Sequence, residues 1–176
     1  DQQQQQIWNR RTLFEINIII SLVLGLLCFS IWIFRRSETT FAWFALSCLL
    51  WVLFISNILV TETKPFANNI LAAQANISFF ALYMVCFCTY LLRFIRVELV
   101  KVERVVWAIT AIVLLVIFFT PVQWLTAVFI NIFMMYVALF LLTYIYLGYV
   151  TYRTRKREYI FLLMCLTGIL FCALFD

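Results

Sequence analysis

Few residues of this chain could take part in catalysis or metal binding, and histidine is absent. The sequence has 176 residues and no histidine, which excludes imidazole-ligated haem, the usual zinc sites and histidine-based proton transfer. Glu15 stands one turn into a long apolar run, whereas the other carboxylates lie at the termini or between such runs. No pair of carboxylates shares an apolar run for proton relay or metal binding. We therefore expect no catalytic residue, no metal site and no cofactor in this chain.

The cysteines are the next candidates, and they all lie inside apolar runs: Cys28, Cys48, Cys86, Cys88, Cys165 and Cys172. This placement gives no indication of a disulfide framework. The pair Cys86 and Cys88, with Met84 nearby, could be imagined as a soft-metal site. Residues two apart on a helix point to different faces, however, so one helix cannot present both thiols together. The pattern favours small buried apolar side chains over copper binding or thiol sensing.

Polar amides inside the apolar runs form a third group, in the halves that lie farthest from the basic segments. We predict that Asn57, Gln74 and Asn131 line a polar cavity that receives a ligand or an outer domain. Gln74 and Ser78 are four residues apart and share a helix face, whereas Asn76 is rotated by about 200° from Gln74. Gln74 is therefore preferred to Asn76 as a cavity residue. The alternative, which the pattern favours, is interhelical hydrogen bonding at an average of ~0.6 kcal/mol per bond.

The elements that position these residues follow from composition. With 66% hydrophobic residues, 12% charged residues and a mean hydropathy of +1.05, the chain needs lipid as its solvent. Lipid leaves no water for open backbone, so every apolar run is predicted to be a helix. The six runs are at about 13–34, 41–60, 70–92, 105–119, 122–146 and 159–175. The fourth is short, and its helix is expected to begin before Val105. The predicted fold is an all-α integral membrane protein, a bundle of six transmembrane helices.

The distribution of basic residues orients the bundle. Ten of the 13 Lys and Arg residues follow the first, third and fifth runs: Arg35, Arg36, Arg93, Arg96, Lys101, Arg104, Arg153, Arg155, Lys156 and Arg157. Loops rich in Lys and Arg stay cytoplasmic, so both termini and the polar amides are predicted to lie outside. We expect the basic loops to contact anionic lipid headgroups first and an output module second. This pattern suits a lipid bilayer better than nucleic acid.

Two segments carry a resemblance to a known family. The stretches SIWIFRRSETTFAWFALSCLLWVLF (30–54) and YLLRFIRVELVKVERVVWA (90–108) resemble the bacterial seven-transmembrane receptors with diverse intracellular signalling modules. The resemblance covers roughly residues 7–176. It implies an extracytoplasmic N-terminal domain, seven helices and a cytoplasmic output module such as a diguanylate cyclase or a histidine kinase. Since six runs are present, we expect the domain at 13–176 to be truncated before a seventh helix, and residues 1–12 to be an outer linker.

The resulting interpretation is a membrane-embedded sensor domain in a bacterial inner membrane, relaying an extracytoplasmic signal to an output module of the same protein. The family's pattern allows a homodimer. Two alternatives stay open: half of a secondary transporter, since six helices make half of a common carrier fold, and a structural membrane subunit. Against a transporter half, no charged residue lies in the middle of a run, and the three glycines supply no paired helix breaks.

Overall fold

The computed structural model describes residues 2–59, 69–96 and 100–175. In these ranges the chain forms six α-helices, one short 3-10 turn at Val122–Trp124, and no strand. The helices are α1 (Gln2–Phe34), α2 (Thr39–Leu59), α3 (Asn69–Phe94), α4 (Val100–Phe119), α5 (Leu125–Thr154) and α6 (Arg157–Phe175). The predicted all-α fold is confirmed.

Five of the six described helices, α1 to α5, are also long and apolar enough to cross a membrane. Within the described ranges, five candidate spans are Glu15–Phe34, Thr39–Asn57, Ile70–Phe94, Val100–Phe119 and Leu125–Thr154. At 1.5 Å per residue, the 30 residues of α5 extend for about 45 Å, which exceeds a hydrocarbon core of ~30 Å. One end of α5 must therefore project into the headgroup region. Which side of the membrane each terminus faces stays a prediction.

Several helices extend beyond their predicted ends, whereas α5 begins at Leu125 rather than at the predicted Val122. α5 continues past Tyr146 to Thr154, and α1 already begins at Gln2, within the predicted linker. α4 begins at Val100, as expected for a helix that starts before Val105. The extra residues of α1 and α4 are mostly Gln, Arg, Lys and Glu, which form helices readily and whose charged groups the headgroup region tolerates. The role of residues 1–12 as a linker stays a prediction.

This extension corrects the placement of the basic residues in loops. Five of the ten are helical: Arg93, Lys101, Arg104, Arg153 and Arg157. The other five lie between helices: Arg35, Arg36, Arg96, Arg155 and Lys156. Two glutamates assigned to loops, Glu103 and Glu158, lie in the first turns of α4 and α6, where the helix dipole favours a carboxylate. We call the end of the bundle that carries these residues the basic end.

α3 lies at the centre of the bundle and packs against α2, α4 and α5. One apolar cluster joins Phe80, Ala81 and Val85 of α3 to Ile117 of α4 and Ile132 and Tyr136 of α5. A second cluster, nearer the basic end, joins Leu91 and Ile95 to Leu147 of α5 and to Tyr159 and Leu166 of α6. α3 therefore supplies the interior surface on which the other helices are arranged.

The two outer helices are attached to different neighbours. α1 packs closely on α2, where an added Cβ on Gly25 would lie 3.0 Å from the Cβ of Cys48. α6 packs on α5 and on the end of α3. α1 and α6 are not among the closely packed helix pairs of the described residues. The bundle is consequently open between α1 and α6.

Candidate functional site

The predicted amide Gln74 lies inside the bundle. Its side chain is buried, with 6% exposed, and its Nε2 donates a hydrogen bond to the main-chain oxygen of Ile117 at 2.9 Å. Ser78, one turn further on the same face, is also buried and donates to the main-chain oxygen of Gln74 at 2.7 Å. The face that sequence spacing assigned to Gln74 and Ser78 is thus the face turned toward α4.

The acceptor on α4 explains why an amide is needed there. A helical carbonyl normally accepts from the N–H four residues later, which for Ile117 is position 121. Pro121 has no N–H, and α4 ends at Phe119. Because Ile117 is fully buried, its carbonyl would be left without a partner, at a cost of ~1–3 kcal/mol. Gln74 supplies the missing donor from α3 and so caps the end of α4.

The other two predicted amides contact different elements. Asn57 Nδ2 donates to the main-chain oxygen of Ala72 at 2.8 Å and links α2 to α3. Asn131 is exposed, and its Nδ2 donates to Ala127 of its own helix at 2.8 Å. Among the described residues, no hydrogen bond joins Asn57, Gln74 and Asn131 to one another. Two of the three act as interhelical links, and their predicted role in ligand binding stays a prediction.

Two further polar side chains on α2 and α3 are Trp51, which has a partner on α1, and Asn76. Trp51 Nε1 donates to Asn17 Oδ1 at 2.9 Å, which links α1 to α2 and gives a tryptophan in the middle of a span a hydrogen-bond partner. Asn76 Oδ1 is buried and has no hydrogen-bond partner in the ranges that the structure describes.

The basic end holds the most connected polar side chain, that of Arg93 in the last turn of α3. Its Nη1 donates to Thr39 Oγ1 of α2 at 3.1 Å, and its Nη2 forms a 3.0 Å ion pair with Glu103 Oε2 of α4. The guanidinium also lies over the ring of Trp43, 5.5 Å from its centroid, and Trp43 in turn packs against Trp107 of α4. Arg93 thereby joins α2, α3 and α4 at one point.

This network is what the sequence interpretation missed. Arg93 was assigned with the other basic residues to membrane orientation and lipid contact, and Glu103 was assigned to a loop. The available signal was a pair of opposite charges ten residues apart, one near the end of the third apolar run and one just before the fourth. With 31% and 13% of the two side chains exposed, the ion pair is half-buried, so water and salt screen it less than they screen a surface pair.

Two adjoining cavities open beside Arg93. The larger, of about 500 Å³, is bounded by α1, α2, α3 and α6 and lies in the opening between α1 and α6. Its polar lining includes Arg93, Arg96, Lys156, Glu38 and Glu158. The smaller, of about 370 Å³, shares Arg93, Arg96 and Glu38 with the first and is bounded on its far side by Glu103. The amides Asn57, Gln74 and Asn131 line neither cavity.

The backbone at the basic end has an unusual feature at both turns that follow α3 and α5. Arg96 and Arg155 adopt the left-handed conformation, with φ of 55° and 51°. The N–H of Arg155 donates to the oxygen of Thr151 at 2.9 Å, which closes the last turn of α5. Glycine is the usual residue at such a helix end, and a longer side chain there costs about 1 kcal/mol or more. An arginine occupies the position in both turns.

The described side chains at these sites are suited to non-covalent contacts between charged, polar and aromatic groups. Within the described residues, no group of three or more Cys, Asp or Glu side chains is placed to hold a metal ion. The cysteines whose side chains are described are free thiols on helices. The arrangement offers hydrogen-bond links between helices at one end, and a mixed cationic and anionic cleft at the other.

The comparisons with known proteins extend this description. A family model described as 7TM diverse intracellular signalling matches residues 11–176, which include all of α2 to α6 and most of α1. No curated protein and no solved structure matches the chain.

Proposed function

We propose a signalling function from this premise: the chain belongs to the 7TM diverse intracellular signalling family. A domain of this family is a multi-pass membrane domain of signalling receptors and is not catalytic. Our proposal for this chain is more specific than the family assignment. It is the sensor and transducer domain of a receptor in a bacterial inner membrane, and it relays an extracytoplasmic signal to a cytoplasmic output module of the same protein, either a diguanylate cyclase or a histidine kinase.

The family match carries this proposal, and the charge distribution supports its direction. The first, third and fifth connections with their flanking turns hold ten basic residues, all at the basic end. Positively charged segments are retained on the cytoplasmic side. The basic end then faces the output module and the anionic headgroups of the inner leaflet, and the amides of α2, α3 and α5 lie in the outer half.

The family's name counts seven membrane segments, and the described ranges contain six helices. We propose that a seventh helix follows and returns the chain to the cytoplasmic side, and that an extracytoplasmic domain precedes residues 1–12. A homodimer is included in the proposal because both types of output act as dimers in this family's pattern.

Topology is tested with single cysteines introduced into the connections of a cysteine-free variant. A cysteine at position 155 is expected to resist a membrane-impermeant thiol reagent in intact cells, and one at position 64 is expected to react. Both should react once the membrane is permeabilised, which controls for accessibility. The reverse pattern in intact cells would contradict the orientation and, with it, the proposed direction of signalling.

Signal relay is tested in the complete receptor by measuring output activity in membranes. Deleting the output module should remove the activity while leaving the membrane domain inserted, and restoring the module with its native linker should recover it. A complete reading frame with no catalytic module, or with a second six-helix block, would refute the receptor proposal.

A further inference from the structure

We propose that Arg93 is a two-position switch at the basic end. In the described position it bonds Thr39 and lies over Trp43, and in the second position it bonds the carboxylate of Glu38 instead. Glu103 stays bonded to Arg93 in both positions, so only the attachment of α2 to α3 and α4 changes. The inference goes beyond the proposed receptor function, and its test needs neither an output module nor a particular orientation of the chain.

The described position of Arg93 leaves part of its hydrogen-bonding capacity unused. A guanidinium carries five N–H groups, and here Nη1 donates to Thr39 and Nη2 to Glu103. Its Nε is buried and has no acceptor within the described ranges. A buried donor without an acceptor raises the free energy of the arrangement that contains it, and a charged donor raises it most. A second position in which Nε is bonded or hydrated would remove this cost.

A second acceptor lies within reach of the same guanidinium. Glu38 precedes Thr39, whose Oγ1 is 3.1 Å from Arg93 Nη1, and consecutive Cα atoms are about 3.8 Å apart. Glu38 and Arg93 line the same cavity of about 370 Å³, which gives the two side chains room to move. Among the described residues, the Glu38 carboxylate has no hydrogen bond and no ion pair, whereas Glu103 is paired. One carboxylate of the cavity is therefore bonded to Arg93, and the other is available to it.

The cavity lies between helices that pack closely. It is bounded by the turn before α2, the first turn of α2, the end of α3 and the first turn of α4, and no described residue of α1 or α6 lines it. Its charged side chains are two cations, Arg93 and Arg96, and two carboxylates, Glu38 and Glu103, so its formal charge is balanced. A balanced cavity favours exchange of partners among its own charges over capture of an ion from solution.

Exchange of the partner moves the guanidinium away from Trp43. Thr39 and Trp43 are four residues apart on α2 and share a face, and the guanidinium carbon lies 5.5 Å from the Trp43 ring centroid. Glu38 is the position before the helix and does not share this face. A guanidinium bonded to Glu38 consequently leaves the ring. Because Trp43 also packs against Trp107 of α4, the same movement removes the cation that lies beside the contact between α2 and α4.

The two positions are close enough in free energy for both to be populated. A hydrogen bond to a carboxylate is stronger than one to a hydroxyl, which favours Glu38. The contact with the Trp43 ring and the hydration of the exposed Glu38 side chain favour the described position. Exposed ion pairs and exposed cation–π contacts each correspond to a factor of about five or less in population. Removing one acceptor should therefore change the ratio of the two positions by about fivefold.

The test is fluorine NMR of the intact protein, labelled with fluorotryptophan and purified in mild detergent. The Trp43 signal, assigned by its loss in Trp43→Phe, reports whether the guanidinium lies over the ring, and Arg93→Gln gives the signal of the uncovered ring. Thr39→Val removes the described acceptor and should move the Trp43 signal toward that of Arg93→Gln. Glu38→Gln removes the second acceptor and should move the signal in the opposite direction. The ratio of the two positions should change about fivefold in each case.

Two controls and one competing cation complete the set of variants. Thr40→Val is matched to Thr39→Val, since Thr40 lines the same cavity and has no bond to Arg93 within the described residues. Glu158→Gln removes a carboxylate of the basic end that lies outside this cavity. Arg96→Gln removes the other cation of the cavity. Each of the three should change the ratio less than about twofold, because none is a partner in the exchange.

Any other outcome overturns the inference. Shifts of the same sign in Thr39→Val and Glu38→Gln would show a general loosening of the basic end rather than an exchange of partners. An unchanged signal in Glu38→Gln would show that Arg93 has one position only. A shift in Arg96→Gln as large as that in Glu38→Gln would show that Arg96, and not Arg93, is the partner of Glu38.

Discussion

The replacement of Gln74 by Leu tests the most specific contact in the bundle. The change removes the donor to Ile117 and leaves a buried carbonyl with no alternative N–H, since Pro121 cannot provide one. An unsatisfied buried acceptor costs ~1–3 kcal/mol in proteins, and interhelical hydrogen bonds in membranes reach ~1.7 kcal/mol. We expect the free energy of unfolding to fall by about 1–2 kcal/mol, a factor of about 5–30 in the folding equilibrium.

The assay is reversible unfolding of the chain in mixed lipid and detergent micelles, followed by circular dichroism as the denaturing detergent is increased. Asn131→Leu is the matched control. Asn131 is an exposed amide that bonds only its own helix, and its loss should leave the stability unchanged or slightly raised. If Gln74→Leu were as stable as the parent chain, or if both replacements cost the same, the capping role of Gln74 would be refuted.

A second variant isolates the mechanism. Pro121→Ala supplies an N–H four residues after Ile117, which can reach its carbonyl if α4 extends by one turn. In this background Gln74→Leu should cost less than half of what it costs in the parent chain. The double-mutant cycle therefore predicts a coupling energy of about 1 kcal/mol between positions 74 and 121. Additive effects would show that Gln74 stabilises the bundle in some way other than by satisfying this carbonyl.

Two further predictions use the same unfolding assay. Gly25→Ala should destabilise the α1–α2 contact by about 1–3 kcal/mol because its Cβ would lie 3.0 Å from the Cβ of Cys48. Gly148→Ala is the control and should be neutral or stabilising, since no atom lies within 4 Å of the added Cβ. Equal effects of the two replacements would contradict the close packing at Gly25. Tyr136→Phe removes a hydroxyl that donates to Thr110 at 3.0 Å, and it should lower the free energy of unfolding by only ~0.6 kcal/mol. The cost is small because Thr110 still donates to a main-chain oxygen and no buried polar group loses its last hydrogen bond. A cost above that of Gln74→Leu would contradict this reasoning.

The sequence predicted the helices well because lipid imposes one simple requirement on them. Apolar runs must be helical in a bilayer, so their number and approximate positions followed from hydropathy alone. The ends of the helices did not follow, since α5 continues past the predicted end at Tyr146 as far as Thr154. A hydropathy pattern ends where the hydrocarbon ends, whereas a helix ends where its hydrogen bonding is closed, here at the left-handed Arg155.

The polar contacts were predictable only in part. Spacing alone assigned Gln74 and Ser78 to a shared face, and the structure has this arrangement. The partner of Gln74 was not predictable because it is a main-chain oxygen on a helix that is distant in sequence. Pro121 signals that a carbonyl four residues earlier lacks its donor, but no pattern shows which side chain reaches it. Arg93 was missed for a related reason, since three helices must meet before its contacts exist.

The two ends of α3 suggest how the bundle divides when it changes shape. Gln74 bonds α4 near one end of α3 and Arg93 bonds α4 near the other, about 28 Å apart along the helix. A relative movement of α3 and α4 would break both contacts, whereas movement of α1 and α6 across their opening breaks neither. The conformational change with the lowest free-energy cost is the one that breaks the fewest favourable contacts. We therefore expect α3 and α4 to move as one unit and the distance between α1 and α6 to vary.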